Sequence, residues 1–147
     1  MMKVLITSTV AALATCAIAT SYSLSYDTTY DMGSNSLNTV ACSDGSNGLE
    51  SRGYTTFNSI PNFPSIGGAP QITGWNSPYC GSCWEITYTS SSVTNTIYVT
   101  AIDVGDEARD GFNLSLEAMN DLTGGQAENL GRITVTATQV DESNCGL

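Results

Sequence analysis

Apolar residues recur at every second position through much of the chain, the pattern of strands with one buried face. Trp84, Ile86 and Tyr88 share one side of such a strand, and Glu85, Thr87 and Thr89 take the other. The polar stretch Ser90-Ser91-Ser92-Val93-Thr94-Asn95 then returns the chain into 96–102, which reads Thr-Ile-Tyr-Val-Thr-Ala-Ile. The pair predicts a hairpin with a longer loop. Its second strand is apolar on both faces, as expected inside a barrel or a two-sided sheet. Residues 133–140 set Ile133, Val135 and Ala137 against Thr134, Thr136 and Thr138, another clear strand. The segments 39–42 and 54–57 carry weaker strand signals.

Helical period appears in one place. Leu114, Leu116, Ala118, Met119 and Leu122 form a short amphipathic pattern, with Asn113 placed as N-cap and Gly124-Gly125 as the stop. Residues 126–130 add a further turn. All four prolines fall between Pro61 and Pro78, together with Gly67, Gly68 and Gly74. That composition predicts a long ordered loop, anchored by Ile60, Phe63, Ile66 and Ile72. Tyr22, Tyr26 and Tyr30, spaced by four among serines and threonines, read as surface contacts. Many short strands, Gly/Pro-rich turns and a small helix predict a mainly β domain in the form of a closed or nearly closed barrel.

Residues 1–19 stand apart. Lys3 precedes an apolar run that closes on Ala17-Ile18-Ala19, small residues where a signal peptidase reads, so a signal peptide cleaved after Ala19 is expected. A membrane anchor needs about 20 apolar residues, and Thr7, Ser8, Thr9 and Thr15 interrupt this one. Residues 20–147 then form a single domain, and no membrane association is expected after cleavage.

Composition narrows the chemistry. In 147 residues, 14 carboxylates face 4 basic residues, the formal charge is -10, and histidine is absent. Catalytic sets built on histidine are excluded, as are metal sites that lean on imidazole. Nucleic acid is disfavoured as a partner because its binding depends on Lys and Arg neutralising phosphates. Nothing calls for a cofactor or a metal.

Of the five cysteines, Cys16 leaves with the signal, and Cys42, Cys80, Cys83 and Cys145 read as two disulfides of an exported domain. Cys80-Gly81-Ser82-Cys83 has redox spacing, but a strand follows it at once where a thioredoxin-like motif would open a helix. Spacing alone leaves three connectivities open.

The motifs converge on one family. Ser25-Tyr26-Asp27, Cys42-Ser43-Asp44-Gly45 and the block Gly74-Trp75-Asn76-Ser77-Pro78-Tyr79-Cys80-Gly81-Ser82-Cys83-Trp84 resemble the cerato-platanin family. So do Ala101-Ile102-Asp103, Gly111-Phe112-Asn113 and the ending Val140-Asp141-Glu142-Ser143-Asn144-Cys145, and the order holds over the whole mature chain. The resemblance implies a six-stranded double-psi β-barrel related to expansins, with one or two short helices. It implies the pairings Cys42–Cys80 and Cys83–Cys145, and a small protein secreted by filamentous fungi into wall and medium. Members are reported to bind chitin oligosaccharides, to loosen cellulosic material without hydrolysis and to elicit plant defence. The partners implied are therefore a chitin-type or cellulosic polysaccharide and a plant receptor; separately, a monomer is expected.

By the same resemblance Asp103 and Asn113 fall in a shallow carbohydrate-binding groove. Asp103 would accept hydrogen bonds from sugar hydroxyls or an acetamide N–H, while the Asn113 amide can donate and accept at once. Asn113-Leu114-Ser115 is also a formal glycosylation sequon. Trp75 and Tyr26 are expected as sugar contacts because a flat ring combines apolar area with a polar edge; Trp84 reads as core. Hydrolysis normally needs two carboxylates, roughly 5–9.5 Å apart depending on stereochemistry, and the family pattern supplies one. Here 104–110 is longer and more acidic than that pattern. An endoglucanase-like reading would pair Asp103 with Asp106, Glu107 or Asp110; the other reading is a solvated acidic loop balanced by Arg109.

Overall fold

The computed structural model describes residues 18–147. All but the last two residues of the expected signal peptide lie outside the described residues. Six strands, β1 (Thr20–Tyr26), β2 (Ile66–Ala69), β3 (Cys83–Thr89), β4 (Thr94–Val104), β5 (Gly111–Leu114) and β6 (Arg132–Val140), close in the order β1-β5-β2-β4-β3-β6. The pairs β1–β5 and β2–β4 run parallel and the other four antiparallel. This is the six-stranded double-psi barrel that the resemblance implies. Two short helices, α1 (Leu116–Thr123) and α2 (Ala127–Leu130), bridge β5 to β6.

The strands with the cleanest alternation form as predicted. In β6, Ile133, Val135 and Ala137 are buried while Thr134 and Thr136 are exposed. In β3, Trp84 and Ile86 turn inward, and Trp84 is 4% exposed with its Nε1–H donating to Ser82 Oγ at 2.9 Å. Tyr22 and Phe112 pack edge-on against that indole. The aromatic trio therefore packs together in the core.

Several expectations need correction. The 61–78 segment is not simply a loop, because β2 lies within it as a fully buried strand between β4 and β5. A Cβ on Gly67 would strike the carbonyl of Asn113, and one on Gly68 the carbonyl of Val104. Glycine here serves close backbone approach. Asn113 is not the helix N-cap: it belongs to β5, and Ser115 caps α1 by accepting from the Ala118 N–H at 3.0 Å. Segments 39–42 and 54–57 are turns and 3-10 helix with one isolated Ser36–Thr56 bridge, since they pack on the barrel without joining its ladder. Tyr30 is buried and Tyr22 is half-buried against the core, so neither is a free surface contact. The hairpin loop is shorter than expected, because β4 already begins at Thr94.

Outside the barrel, residues 27–65 form a layer of turns whose Leu37, Leu49, Phe57 and Ile60 join the buried cluster. Cys42–Cys80 binds this layer to the segment before β3, and Cys83–Cys145 ties β3 to the C-terminal turn. The two halves of the C-x-x-C thus serve different bridges, as the resemblance implies. They are not a redox pair in this fold.

Candidate functional site

Barrel register decides which polar side chains meet. Ser25 of β1 stands opposite Asn113 of β5, Asn113 opposite Gly68 of β2, and Gly68 opposite Asp103 of β4. One row thus crosses four strands, and Arg132 of β6, opposite Ser25, continues it onto a fifth. With strands spaced about 4.8 Å apart, Asn113 and Asp103 lie about 10 Å apart across a glycine. Asn113 and Asp103 are the two polar walls, and between them Gly68 is buried, with the Val104 carbonyl and Gly105 Cα occupying the place a side chain would take.

Each wall is fixed from behind. Asn113 Oδ1 accepts from Ser25 Oγ at 3.1 Å, while Nδ2 has no partner among the described residues. Asp103 Oδ1 accepts the backbone N–H groups of Ala41 at 3.0 Å and Val104 at 2.8 Å. Its Oδ2 accepts the Tyr30 hydroxyl at 3.0 Å. A carboxylate offers about four acceptor positions, so one remains, on Oδ2. The site therefore presents a donor on one side and an acceptor on the other. Burial, then the neighbouring Asp103 charge and its hydrogen bond, push the Tyr30 hydroxyl far above the ordinary tyrosine range, so it stays a donor.

The acidic loop has a structural use. Asp106 is 19% exposed and accepts from Arg132 Nη2 at 2.8 Å, with Arg109 Nη1 at 3.6 Å. Arg132 Nη1 also reaches Ser23 Oγ at 2.7 Å, so the loop is strapped to β1 and β6. Glu107 and Asp110 are exposed. In the sequon, Ser115 is fully buried and its Oγ donates to the Pro64 carbonyl at 2.6 Å.

The other expected contacts lie off the row. Tyr26 is opposite Leu114, on the inward-facing side of β1, and packs on the core. Trp75 stands on the β2–β3 connection, 64% exposed, its Nε1–H donating to Asp44 Oδ1 at 2.7 Å. Two row members, Ser25 and Gly68, escaped sequence reasoning. Their signal was there, in a Gly-Gly inside an otherwise apolar four-residue run and in serines alternating with Tyr22, Leu24 and Tyr26. A separate concavity of about 210 Å³ lies at the far end of the β3–β4 hairpin, lined by Tyr88, Ser91, Thr123 and Leu130 among others, without charge. Among the described residues no group of three acidic or sulfur side chains is placed to hold a metal ion, and no helix is long and apolar enough to cross a membrane.

Comparison with known proteins points one way. The family described as Cerato-platanin matches residues 22–147. A protein of Coccidioides immitis described as a heat-stable 19 kDa antigen is 48% identical over 130 residues, covering 88% of this chain and 84% of its own. The crystal structure of cerato-platanin 2 from M. perniciosa superposes with a TM-score of 0.82 at 48% identity, over 87% of this chain and 100% of that one. The solution structure of the fungal elicitor Cerato-Platanin gives a TM-score of 0.71 at 41% identity, over 84% and 95%.

Proposed function

The chain belongs to the cerato-platanin family, and on that premise we propose that it is a secreted, non-catalytic, monomeric protein that binds chitin-type N-acetylglucosamine oligomers along the Ser25–Asn113–Gly68–Asp103 row. The observation that carries this reading is the register, which sets a free amide donor and a carboxylate acceptor on either side of the buried Gly68. A neutral sugar chain offers hydroxyl and acetamide groups that match both walls. Its lack of charge suits a protein of formal charge -10. Affinity then rests on hydrogen bonds, so binding is weak and only mildly sensitive to salt. Expansin-like loosening of wall polysaccharide and elicitation of plant defence follow from such binding at a wall surface. An elicitor role is further supported by the likeness to a structural neighbour that is itself described as a fungal elicitor.

Hydrolysis is the weaker reading. Asp103 is held as an acceptor by three protein donors, and Asp106, the most enclosed carboxylate of the loop, is engaged by two guanidinium groups. Secretion is supported by the Ala17-Ile18-Ala19 site, after which β1 begins at Thr20.

Calorimetric titration with N-acetylglucosamine oligomers tests the reading, alongside a reducing-end assay on chitin and soluble glucan. Saturable binding that Asn113→Ala weakens about tenfold, the loss of a polar contact of about 1.4 kcal/mol, with no new reducing ends, is the expected outcome. Release of reducing ends that Asp103→Asn abolishes would establish the enzyme instead.

A further inference from the structure

Trp75 presents an unusual combination: it is the most exposed aromatic side chain among the described residues, yet it is firmly held. Its indole N–H is bonded to Asp44. The next residue, Asn76, sits at φ 58°, a left-handed conformation uncommon outside glycine, and is clamped there by two bonds. Asn47 N donates to Asn76 Oδ1 and Asn47 Nδ2 to the Asn76 carbonyl, each at 2.9 Å. Gly45, itself at φ 88°, lies beneath both residues, where a Cβ would press on Asn76 and on the indole edge. Cys42–Cys80 closes the two loops around them. An exposed ring gains little from burial, so a packing role does not account for this rigidity. A ring held in its bound orientation loses little side-chain freedom when a ligand arrives.

We infer that Trp75 and Asp44 form a second contact point for the same ligand, a stacking platform for one pyranose of a neutral β-linked oligomer; this rests on the carbohydrate-binding reading above. The ring face takes the axial C–H face of a sugar whose substituents are equatorial. Asp44 Oδ2, without a partner among the described residues, accepts a hydroxyl or acetamide N–H at the ring's edge. The platform also connects to the row. Ala41 donates its N–H to Asp103, and Asp44 follows three residues later, so the Cα atoms of Ala41 and Asp44 lie at most about 11 Å apart. An extended oligomer can therefore meet both, and affinity grows with chain length. Charge argues against an acidic glycan at a platform edged by a carboxylate.

The test is heteronuclear NMR titration of the parent with N-acetylglucosamine hexamer and, separately, dimer. Two indole N–H signals are present, from Trp75 and the buried Trp84, and Trp75→Phe assigns them. The Trp75 signal should shift with the hexamer, and Trp75→Ala should weaken hexamer binding about tenfold while leaving dimer binding at the row unchanged. Trp75→Phe, which keeps a flat face, should stay within about threefold of the parent. If Ser25 and Asn113 amides shift while the Trp75 indole does not, the platform is overturned and the row stands. If no signal in the folded parent moves, the carbohydrate reading falls and takes the platform with it.

Discussion

The barrel and the layer of turns over it are stabilised by different means. Strands β3, β4 and β6 form a continuous ladder of seven and five register pairs, with alternating side chains filling one interior. The 27–65 layer has no such ladder. It is fixed by separate ties, among them Cys42–Cys80, the Cys42 N–H to the Ile102 carbonyl at 3.1 Å, and the bonds from Tyr30 and Ala41 to Asp103. A ladder tolerates the loss of one bond, because its neighbours hold the register. A layer held at separate points loses a whole contact with each tie. Asp103 belongs to both regions, as a strand residue that receives the layer and as a wall of the proposed groove.

The largest effect should follow from removing the covalent tie. Replacing Cys42 and Cys80 together by Ala releases a loop of 38 residues and should cost ~4 kcal/mol in urea unfolding. Hydrogen exchange in that variant should rise in 27–65 while β3, β4 and β6 stay protected. Equal loss of protection in both regions would dissolve the distinction between them. Gly68→Ala attacks the barrel instead, at β2 between β4 and β5. Its Cβ would meet the Val104 carbonyl, and overpacking of this kind costs about 2–3 kcal/mol, read as a lowered denaturation midpoint.

Tyr30→Phe removes one polar tie and should cost about 2 kcal/mol, as for a hydrogen bond to a charged group. It also carries a pH signature. The Tyr30 hydroxyl titrates far higher folded than unfolded, so the folded state retains a proton that the unfolded chain gives up. The stabilisation is complete below the ordinary tyrosine pKa of about 10 and declines as pH rises above it. Stability measured between neutral and strongly alkaline pH should fall less steeply in Tyr30→Phe than in the parent. Arg132→Ala, which cuts a half-exposed strap to Asp106, should cost less than about 1 kcal/mol in urea unfolding.

What could be read from the sequence divides along the same line. Strands β3 and β6 were legible because each alternates, as burial of one face demands, and β4 because it is long and apolar on both faces, with residues 99–102 buried in succession. β1 was obscured by its serines: Tyr22 and Leu24 carry the inward face, and a stretch so polar reads as a terminus. β2 was hidden by Gly67-Gly68 among prolines, since its glycines answer to backbone on β4 and β5 that local pattern cannot reveal. Asn113 looked like a cap because Ser115, the actual cap, follows two residues later and both are good N-cap types. Asp103 and Asn113 themselves came from family resemblance. Their placement on either side of Gly68 depends on strand pairing between residues far apart in the chain, which no local pattern encodes.

That one row across four strands receives the sugar is tested most directly by mapping amide shifts of the parent during titration with N-acetylglucosamine oligomers. Ser25, Gly68, Asn113 and Val104 should move together and saturate at one affinity. Saturable shifts confined to Tyr88, Ser91 and Leu130, around the concavity at the other end of the β3–β4 hairpin, would contradict it.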